Sequence, residues 1–360
     1  MATISSAVGE DQPPQPSLTF TRPVFAKLSP HPYLLHTLSP SDPSVPSSRT
    51  NGRKPQEARK IQINTSSLSQ AHGSALVRTG DTTVICGVRG EILPVSSIPQ
   101  FRADQHKNYN YDGEDKRIEQ GKKELLEYDL LVPNIELATG CAPQFLPGVP
   151  PTTLAQTVST RVYSLLHSAG IVDVEGLRVW YTPAKRDEDK MEEDDREEEE
   201  LEPEVKGYWV LYIDLLFVSF DGNPFDAAWT AVMAALRDTK LPNARWDPDR
   251  EMVVCEKGEG KRLDVRGLPV ACSAAVFLEK EHAEDREGDR HWILLDPDRQ
   301  EEGLCKEVIT AVVDCSGGQG ETKIRSLEKQ GGTVLGRELI RGFVGVAEER
   351  WKEVAAEMPQ

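Results

Sequence analysis

Cysteines and histidines are the side chains of this sequence that could act as nucleophiles, proton carriers or metal ligands. The chain has six cysteines and seven histidines. The cysteines show neither CxxC spacing nor the Cys/His spacing that holds zinc. Their scatter predicts reduced thiols in an intracellular protein and no metal site. They are Cys86, Cys141, Cys255, Cys272, Cys305 and Cys315.

Four histidines are candidates for catalytic or metal-binding groups. His72 stands at the entrance of a predicted hairpin, His106 and His282 lie in predicted loops, and His291 stands beside a predicted strand. None has a Cys or Asp partner at the spacing of a nucleophile or metal site. The pattern therefore predicts a structural role for His72 and gives no reason to expect a metal or a cofactor.

A glycine-rich segment near the end of the chain could bind phosphate. It reads Gly317-Gly318-Gln319-Gly320. A phosphate-binding loop of this kind continues with Lys-Ser/Thr and opens a helix, and neither feature follows here. The segment is therefore predicted to be a turn.

The charge of the chain is strongly acidic but unevenly distributed. The net charge is −17, and residues Asp187–Glu204 contribute −11 of it, which leaves −6 for the rest of the chain. Because binding depends on the local potential, this balance does not exclude an RNA partner. The segment Lys185–Lys206 is predicted to be a solvated loop, since like charges repel; a tail for a basic partner is the alternative.

The ends and the apolar content of the chain set further limits. Hydrophobic residues make up 38% of the sequence, which predicts some solvated insertions. There is no apolar run of about 18 residues, so no membrane span is predicted. Met1–Pro16 is rich in proline, lacks the pattern of a secretory signal and is predicted to be disordered. Ser17–Leu38 is predicted to form short helical or extended pieces.

The elements that must position any site are arranged around one hairpin. Its predicted strands are Ser74–Arg78 and Thr83–Arg89, and Gly80 and Asp81 supply the turn. The second strand is apolar and β-branched at nearly every position. Such a run predicts a central strand that is buried on both faces.

The remaining elements of the first half follow the same reading. A turn at Arg49–Arg53 leads to a first strand, and Phe101–Glu127 is predicted to be a mobile loop insertion. The long apolar strand Tyr208–Phe220 is predicted to be buried on both faces, and the turn Asp221–Pro224 follows it. The other predicted strands and helices are Lys60–Asn64, Tyr128–Glu136, Leu177–Tyr181, Tyr208–Phe220, the helix Thr152–Ala169 with its apolar face, and the Ala-rich helix Phe225–Arg237.

The second half predicts fewer elements. Leu241–Asp249 reads as a connection, Val253–Lys261 as a weak hairpin, and Glu279–Arg290 as a charged loop. The strands are Val270–Phe277, Trp292–Asp296 and Glu307–Asp314, the last strong strand, and Thr333–Glu357 is a closing amphipathic helix. Many strands with three helices predict an α+β fold of two sheet–helix halves. The predicted division is a flexible tail at 1–48, a first half at 49–240 with insertions at about 101–127 and 185–206, and a second half at 241–360.

The hairpin sequence GSALVRTGDTTVICGVR closely resembles the first conserved hairpin of the ribonuclease PH family. The resemblance extends from about Pro32 to Glu353, and the segment VPNIEL is typical of ring subunits of the eukaryotic RNA exosome. It implies a ribonuclease PH-like domain, with a ribosomal protein S5 domain 2-like core and a second sheet–helix half. It also implies ring-forming faces on the sheets.

Active members of that family are phosphate-dependent 3′→5′ exoribonucleases, whose phosphoryl transfer needs cationic clamps on the phosphates. The family places one arginine shortly before the long helix, but Gly148–Thr153 contains none. The family turn D-G-G-T-R-T is matched by Asp221–Asp226, with Pro224 at the threonine and Phe225 at the arginine. A phenyl ring cannot hold an anion, and proline has lost its backbone donor.

The family also uses two aspartates about six residues apart to manage a metal or a proton. Asp296 matches the second of these. The first falls at about Arg290, and the neighbouring Asp289 stays open as an alternative. Arg161 matches a basic family position and is predicted to form a salt bridge or an interface, while Cys86 is predicted to behave as a small hydrophobic residue.

These departures imply a non-catalytic ring subunit of the RNA exosome. Its expected work is to scaffold the complex and to thread RNA for 3′–5′ processing and degradation, including rRNA processing, in the nucleus, nucleolus and cytoplasm. Expected partners are other ribonuclease PH-like ring subunits, cap proteins and single-stranded RNA in the ring channel, with no membrane. An active phosphorolytic exoribonuclease and an RNA-independent interaction module remain alternatives.

Basic residues near the channel-facing loops are the RNA-binding candidates that the resemblance implies. Each would contact phosphate without sequence preference. For each one, a solvated loop position is the competing interpretation. The candidates are Arg89, Arg102, Lys107, Lys116 and Arg117.

Overall fold

A computed structural model describes residues 20–99, 101, 114–183, 203–256, 258–279, 290–318, 321–332 and 336–359. The chain divides into two compact units, Met1–Lys54 and Pro55–Gln360. Within the described ranges, no helix is long and apolar enough to cross a membrane. The predictions for Met1–Pro16, for most of the acidic segment and for most of Glu279–Arg290 lie outside these ranges. The predicted boundaries at residues 48 and 240 stay predictions.

The first unit contains the short helices α1 (Arg22–Leu28) and α2 (Pro30–Leu38), each with proline in its first turn, where the absent N–H costs nothing. The rings of Phe25 and Tyr33 pack edge to face, with centroids 5.9 Å apart. The predicted turn at Arg49–Arg53 is confirmed. The Gly52 N–H donates to the Arg49 carbonyl oxygen at 3.0 Å.

The first sheet of the second unit has six strands. They are β1 (Ile61–Thr65), β2 (Gly73–Thr79), β3 (Thr82–Pro94), β4 (Leu131–Leu137), β5 (Arg178–Tyr181) and β6 (Glu204–Ser219). The order is β1-β2-β3-β6-β4, with β5 also paired to β6, and only the β4–β6 pair among them is parallel. The predicted hairpin is confirmed as β2–β3, with Gly80 at a φ of 58° in its turn.

Three helices accompany this sheet: α3 (Glu114–Glu127), α4 (Thr153–Ala169) and α5 (Pro224–Asp238). Helix α4 begins at the predicted place, where the Thr152 hydroxyl accepts from the Ala155 N–H, and it ends at Gly170 in the left-handed conformation. Helix α5 contacts β2 and β3 of the first sheet and a strand of the second sheet. Twelve of its residues are buried.

Helix α3 lies where a mobile loop was predicted, so that prediction is wrong for residues 114–127. The helix is charged along most of its length, which concealed a buried apolar anchor, Leu125, at 1% exposure. An ion pair one turn apart, Glu119–Lys123 at 3.3 Å, supports the helix on its exposed side.

The prediction of burial on both faces is only partly correct. In β3, Val84, Cys86 and Val88 are buried while the residues between them are half-buried. In β6, residues 207–211 are buried without interruption, but Leu216 and Val218 are 38% and 49% exposed. The C-terminal part of β6 therefore has one covered face and one open face, as in an antiparallel sheet packed on one side.

Four short strands connect the two halves, where a connection and a weak hairpin over Val253–Lys261 were predicted. Strand β7 (Lys240–Leu241) pairs with β10 (Lys261–Arg262), and β8 (Ala244–Asp247) pairs with β9 (Met252–Cys255). The predicted hairpin is therefore wrong in its pairing. The strands are too short for an alternating pattern to reveal them.

The second sheet consists of β11 (Val270–Leu278), β12 (His291–Leu295), β13 (Glu307–Asp314) and β14 (Lys323–Gln330), in the antiparallel order β12-β11-β13-β14. Strand β14 was not predicted, because its polar edge sequence KIRSLEKQ carries no core face. Helix α6 (Arg299–Leu304) precedes β13. Helix α7 (Arg337–Glu357) packs Phe343 and Ala347 into the core beside this sheet.

We expect that replacing residues 184–202 by two glycines leaves the free energy of unfolding within about 0.5 kcal/mol of the parent value. The reason is that Tyr181 and Glu204 are already cross-strand partners, so a short turn can join β5 to β6. Urea unfolding of both proteins measures the difference.

The matched control extends the deletion to Lys206, the boundary suggested by the sequence. It removes the first residues of β6, including Val205, which is 6% exposed and pairs with Trp180. This variant should lose about 2 kcal/mol. Equal losses in the two deletions would contradict the role given to β6.

Candidate active-site region

The turn before α5 is fixed by its backbone. Gly222 has a φ of 78°, and a Cβ on it would lie 2.6 Å from the Arg299 nitrogen, so only glycine fits. The Thr82 hydroxyl donates to the Gly222 carbonyl oxygen at 3.1 Å. Asn223 follows in the left-handed conformation, and its N–H donates to Glu302 Oε1 at 2.6 Å. The turn thus joins the β2–β3 hairpin to α6.

A buried ion pair lies behind this turn. Arg59, in the segment that leads to β1, donates from Nε to Asp296 Oδ2 and from Nη2 to Asp296 Oδ1, both at 2.8 Å. The Arg59 backbone N–H also donates to Asp296 Oδ2 at 2.9 Å. The two side chains are 9% and 4% exposed. Arg59 Nη1 donates in addition to the Asp221 carbonyl oxygen at 2.6 Å.

Asp296 is therefore engaged in holding the fold together. Asn223 Nδ2 donates to its Oδ1 at 2.8 Å, so both carboxylate oxygens accept from protein donors. Burial alone would raise the pKa of Asp296, but the hydrogen bonds and charge of Arg59 prevail and lower it to about 2. A carboxylate saturated in this way is a poor general acid and has little capacity left for a metal.

Three further acids lie near the pair of Arg59 and Asp296. Burial raises the pKa of Glu302 to about 7, although the Asn223 N–H and the Arg59 charge oppose it. Burial likewise raises the pKa values of Asp226 and Asp221 above their ordinary value. Asp226 accepts from the backbone and the hydroxyl of Ser273, both at 2.7 Å, and so ties α5 to β11.

Phe225 fills the position at which the resemblance expects a phosphate-binding arginine. Its ring is 3% exposed. The guanidinium carbon of Arg161, on α4, lies 3.8 Å from the ring centroid, and Arg161 Nε donates to Glu328 Oε2 at 2.8 Å. Arg161 thus has the salt-bridging role predicted for it. Its cation rests on a ring and a carboxylate and is not directed at an open site.

A cleft of about 400 Å³ lies beside the start of α4, where the resemblance expects another arginine. Its lining includes Glu136 but no Lys, Arg or His. The walls are contributed by β4, the segment 139–152 and Ala155. Among the described residues, the cleft therefore has no cation with which to clamp a phosphate.

The histidines and cysteines behave as structural groups where they are described. His72 Nδ1 accepts from the Gly90 N–H at 3.0 Å, and burial lowers the pKa of this imidazole. Burial raises the pKa of the fully buried Cys86 thiol far above its ordinary value. His291 begins β12 and is exposed, while His106, His282 and Asp289 lie outside the described residues. In the part of the chain that the structure describes, no group of three or more His, Cys, Asp or Glu could hold a metal ion.

The predicted RNA-binding residues fall on separate elements. Arg89 lies within β3 and not at its end; its side chain is 61% exposed, and Nη2 lies 3.0 Å from Glu91. Lys116 and Arg117 lie on α3, and Arg117 Nη2 is 3.9 Å from Asp173. Arg102 and Lys107 lie outside the described residues. The structure does not test whether any of these side chains binds RNA, and this stays a prediction.

Sequence reasoning did not find Arg59. Its partner is 237 residues away, and the surrounding sequence EARK contains no local pattern that marks a buried cation. In the structure the site is marked by the positive φ of Asp296, 49°, in a residue that accepts from Arg59.

Comparison with known proteins places this arrangement in context. A sequence model described as "3′ exoribonuclease family, domain 1" matches residues 57–242. "Exosome complex component rrp43" of Schizosaccharomyces pombe is 29% identical over 93% of this chain and 97% of that protein. "Exosome complex component Rrp42" of Aeropyrum pernix is 27% identical over 84% of this chain and 86% of that protein.

Solved structures share the fold. A chain from "archaeoglobus fulgidus exosome with RNA bound to the active site" matches with a TM-score of 0.60 and 23% identity, covering 93% of this chain and 100% of its own. A chain from "Archaeal exosome core" matches with a TM-score of 0.56 and 21% identity, covering 92% and 98%. The predicted α+β, ribonuclease PH-like fold is confirmed.

We expect Asp296→Ala to lower the free energy of unfolding by about 3–5 kcal/mol, because it leaves the Arg59 cation buried without its partner. The double variant Arg59→Met/Asp296→Ala should lose less than the sum of the two single losses. Arg78→Ala serves as the control, since its pair with Asp81 is 3.9 Å long and exposed, and should change little. Strict additivity in urea unfolding would contradict the coupling.

Glu302 should make stability depend on pH near neutrality. Its ordinary pKa is 4.5 and its folded pKa is about 7, so folding takes up a proton between these values. This contribution is complete below about pH 4.5 and is lost as the pH rises through 7, by about 3 kcal/mol. Glu302→Gln keeps an acceptor for the Asn223 N–H and should flatten the profile between pH 5 and about 7.5. An unchanged slope in the variant would rule Glu302 out as its origin.

Proposed function

Since this chain belongs to the 3′ exoribonuclease family, to which ribonuclease PH also belongs, we propose that it is a non-catalytic ring subunit of the RNA exosome. It would scaffold the complex and help thread RNA for 3′–5′ processing and degradation. The support is similarity over nearly the whole chain to a protein named as an exosome component, at 29% identity over 93% of this chain. Within the family the chain resembles ribosomal RNA-processing protein 43.

The non-catalytic assignment is carried by one observation. Phe225 is 3% exposed and stacks beneath Arg161 at the position where active members bind phosphate. Phosphorolysis needs cations that converge on the attacking and scissile phosphates, and a buried phenyl ring supplies none. The engagement of Asp296 with Arg59 supports the same conclusion. An active phosphorolytic exoribonuclease is therefore the less favoured candidate.

Ring assembly needs an apolar face that is open in the single chain. Three apolar residues are cross-strand neighbours on adjacent strands: Leu76 on β2, Ile85 on β3 and Leu216 on β6. Leu216 and the neighbouring Val218 are 38% and 49% exposed. Contiguous exposed apolar residues on a sheet are typical of protein–protein contact sites. We propose that this apolar sheet face (Leu76, Ile85, Leu216 and Val218) contacts a neighbouring ribonuclease PH-like subunit.

The remaining parts of the proposal follow from membership of such a ring. Cap proteins would contact the ring, and single-stranded RNA would pass through its channel near the exposed Arg89 and Arg117. The complex would act in rRNA processing and RNA turnover in the nucleus, nucleolus and cytoplasm. An RNA-independent interaction module is less favoured, because the similarity to a named exosome component spans almost the full chain.

We expect the full chain to co-purify as one complex when expressed with the other ring subunits of its own exosome, and Leu216→Asp/Val218→Asp to abolish this. Burial of two carboxylates in an apolar contact is strongly unfavourable. The matched control is Met252→Asp, which changes an apolar residue that is 53% exposed outside this face. Size-exclusion chromatography measures assembly, and thermal unfolding checks that each variant folds.

The purified wild-type chain, without the other ring subunits, tests catalysis. With phosphate, Mg²⁺ and single-stranded RNA, we expect it to release no nucleoside diphosphates. Phosphate-dependent release that follows the protein through purification would establish the active alternative.

Assembly of the Asp variants to the same extent as wild type would refute the proposed contact face.

A further inference from the structure

Three cations gather at the C-terminal end of α5. Arg237 lies in the last turn of the helix, Lys240 begins β7, and Arg262 ends β10. Arg262 and Lys240 are directly opposite partners in the antiparallel β7–β10 pair. Arg262 Nε donates to the Arg237 carbonyl oxygen at 2.9 Å, so the fold holds Arg262 against the helix end. We call these three residues the cation cluster.

The cation cluster is not neutralised by the protein. Like charges opposite each other across two strands are destabilising, and none of the three forms an ion pair with a described residue. The nearby acids make their hydrogen bonds and ion pairs elsewhere, although the charge of Asp314 still acts on Arg237. Asp238 accepts from Ser66 and Ser74, and Asp314 accepts from the Leu268 N–H and pairs with Arg325 at 3.1 Å.

Two other acids flank β10 without joining the cluster. Glu259 and Asp264 are exposed and make no hydrogen bond or ion pair within the described residues. Their charges moderate the local potential, but they leave the donors of Arg237, Lys240 and Arg262 without a carboxylate partner. Three cations that form no ion pair with a described residue therefore stand together in a chain whose net charge is −17.

Arg237 shows the same lack of acceptors most directly. Its Nη2 donates to the Gly267 carbonyl oxygen at 3.0 Å, whereas its Nε is buried and has no acceptor among the described residues. Burial and then the positive charge of Arg262 lower the pKa of this guanidinium below its ordinary value. A bound anion would relieve this crowding of positive charge.

We propose that the cation cluster binds the phosphate backbone of single-stranded RNA, on a surface formed by the end of α5 and the β7–β10 pair. The choice of RNA as the polyanion rests on the proposed function. The guanidinium of Arg262 and the ammonium of Lys240 are exposed on neighbouring strands and can contact phosphates without reading bases.

The surroundings favour RNA over a folded protein partner. The apolar neighbours of the cluster, Leu241 and Leu263, are only 4% and 6% exposed. Protein interfaces depend on apolar and aromatic anchors at their centre, and the cluster offers none. A phosphate backbone needs only cations.

The test is fluorescence anisotropy of a labelled twelve-nucleotide oligouridine with the full chain, measured over a range of salt concentrations. Lys240→Gln/Arg262→Gln should raise the apparent Kd about tenfold. Loss of two phosphate contacts should also reduce the slope of log K against log salt by about 1.4. Arg237 is left unchanged, because it bonds to Gly267.

The control is Arg245→Gln/Arg250→Gln. These cations are 70% and 69% exposed on the adjacent segment but already pair with Glu256 and Asp247. The control should keep the apparent Kd within about twofold of wild type. The proposal is overturned if Lys240→Gln/Arg262→Gln binds oligouridine with the same apparent Kd as the wild type. It is also overturned if the two double variants lose the same amount of affinity.

Two further measurements separate the possible partners and functions. The first is a titration with poly-glutamate. If poly-glutamate binds the wild type as tightly as RNA does, and if this binding is lost in Lys240→Gln/Arg262→Gln, the cluster binds an acidic protein and the RNA proposal is overturned. The second measurement is whether Lys240→Gln/Arg262→Gln co-purifies with the ring subunits. Intact assembly with weakened RNA binding supports the proposal, whereas failure of the wild type to assemble bears on the proposed function alone.

Discussion

The buried pair of Arg59 and Asp296 is the interaction on which the rest of the site depends. It joins the segment before β1 to the residue after β12, and the Pro55 carbonyl oxygen accepts from the Leu295 N–H at 2.9 Å beside it. Removing two charges from water is expensive, and the pair is tolerable because hydrogen bonds saturate both oxygens of the carboxylate. The pKa values of Asp221, Asp226 and Glu302 are raised chiefly because burial disfavours their charged forms. The charge of the same arginine opposes the raising of the pKa values of Asp221 and Glu302, while the charge of Asp296 adds to that of Asp226.

This arrangement shows how the fold can hold the shape of the turn before α5 through its own contacts. The turn before α5 is held by Gly222, by the Asn223 contacts and by the arginine, and none of these contacts requires a bound phosphate. Phe225 follows the turn with a ring that packs under Arg161. The polar network at the turn stabilises the join between the two sheets, because Arg59 and Asp226 reach residues of the second sheet or beside it.

Much of the fold could be predicted from local patterns, and the failures have physical causes. The hairpin, α4 and α5 were found because β-branched runs, an N-cap and apolar periodicity are local properties of the sequence. Helix α3 was missed although Ile118 and Leu125 stand seven residues apart, because its charged majority resembled a loop. Strand β14 has no buried face, so its existence depends on pairing with β13. In the candidate site, the substitution at Phe225 could be read directly, but the role of Asp296 could not, since it depends on a distant arginine.

The burial of α5 has a consequence for the synthesis of the protein. The helix packs against β2 and β3, which emerge from the ribosome before it, and against β11, which emerges after it. Until residues beyond 270 have been translated, the side of α5 that faces the second sheet has nothing to cover it. A nascent chain or a truncated product ending between α5 and β11 would therefore expose a row of Ala, Val and Met side chains, the kind of surface that chaperones bind. Synthesis of the C-terminal half thus covers the apolar surface of α5 and protects the N-terminal half from aggregation.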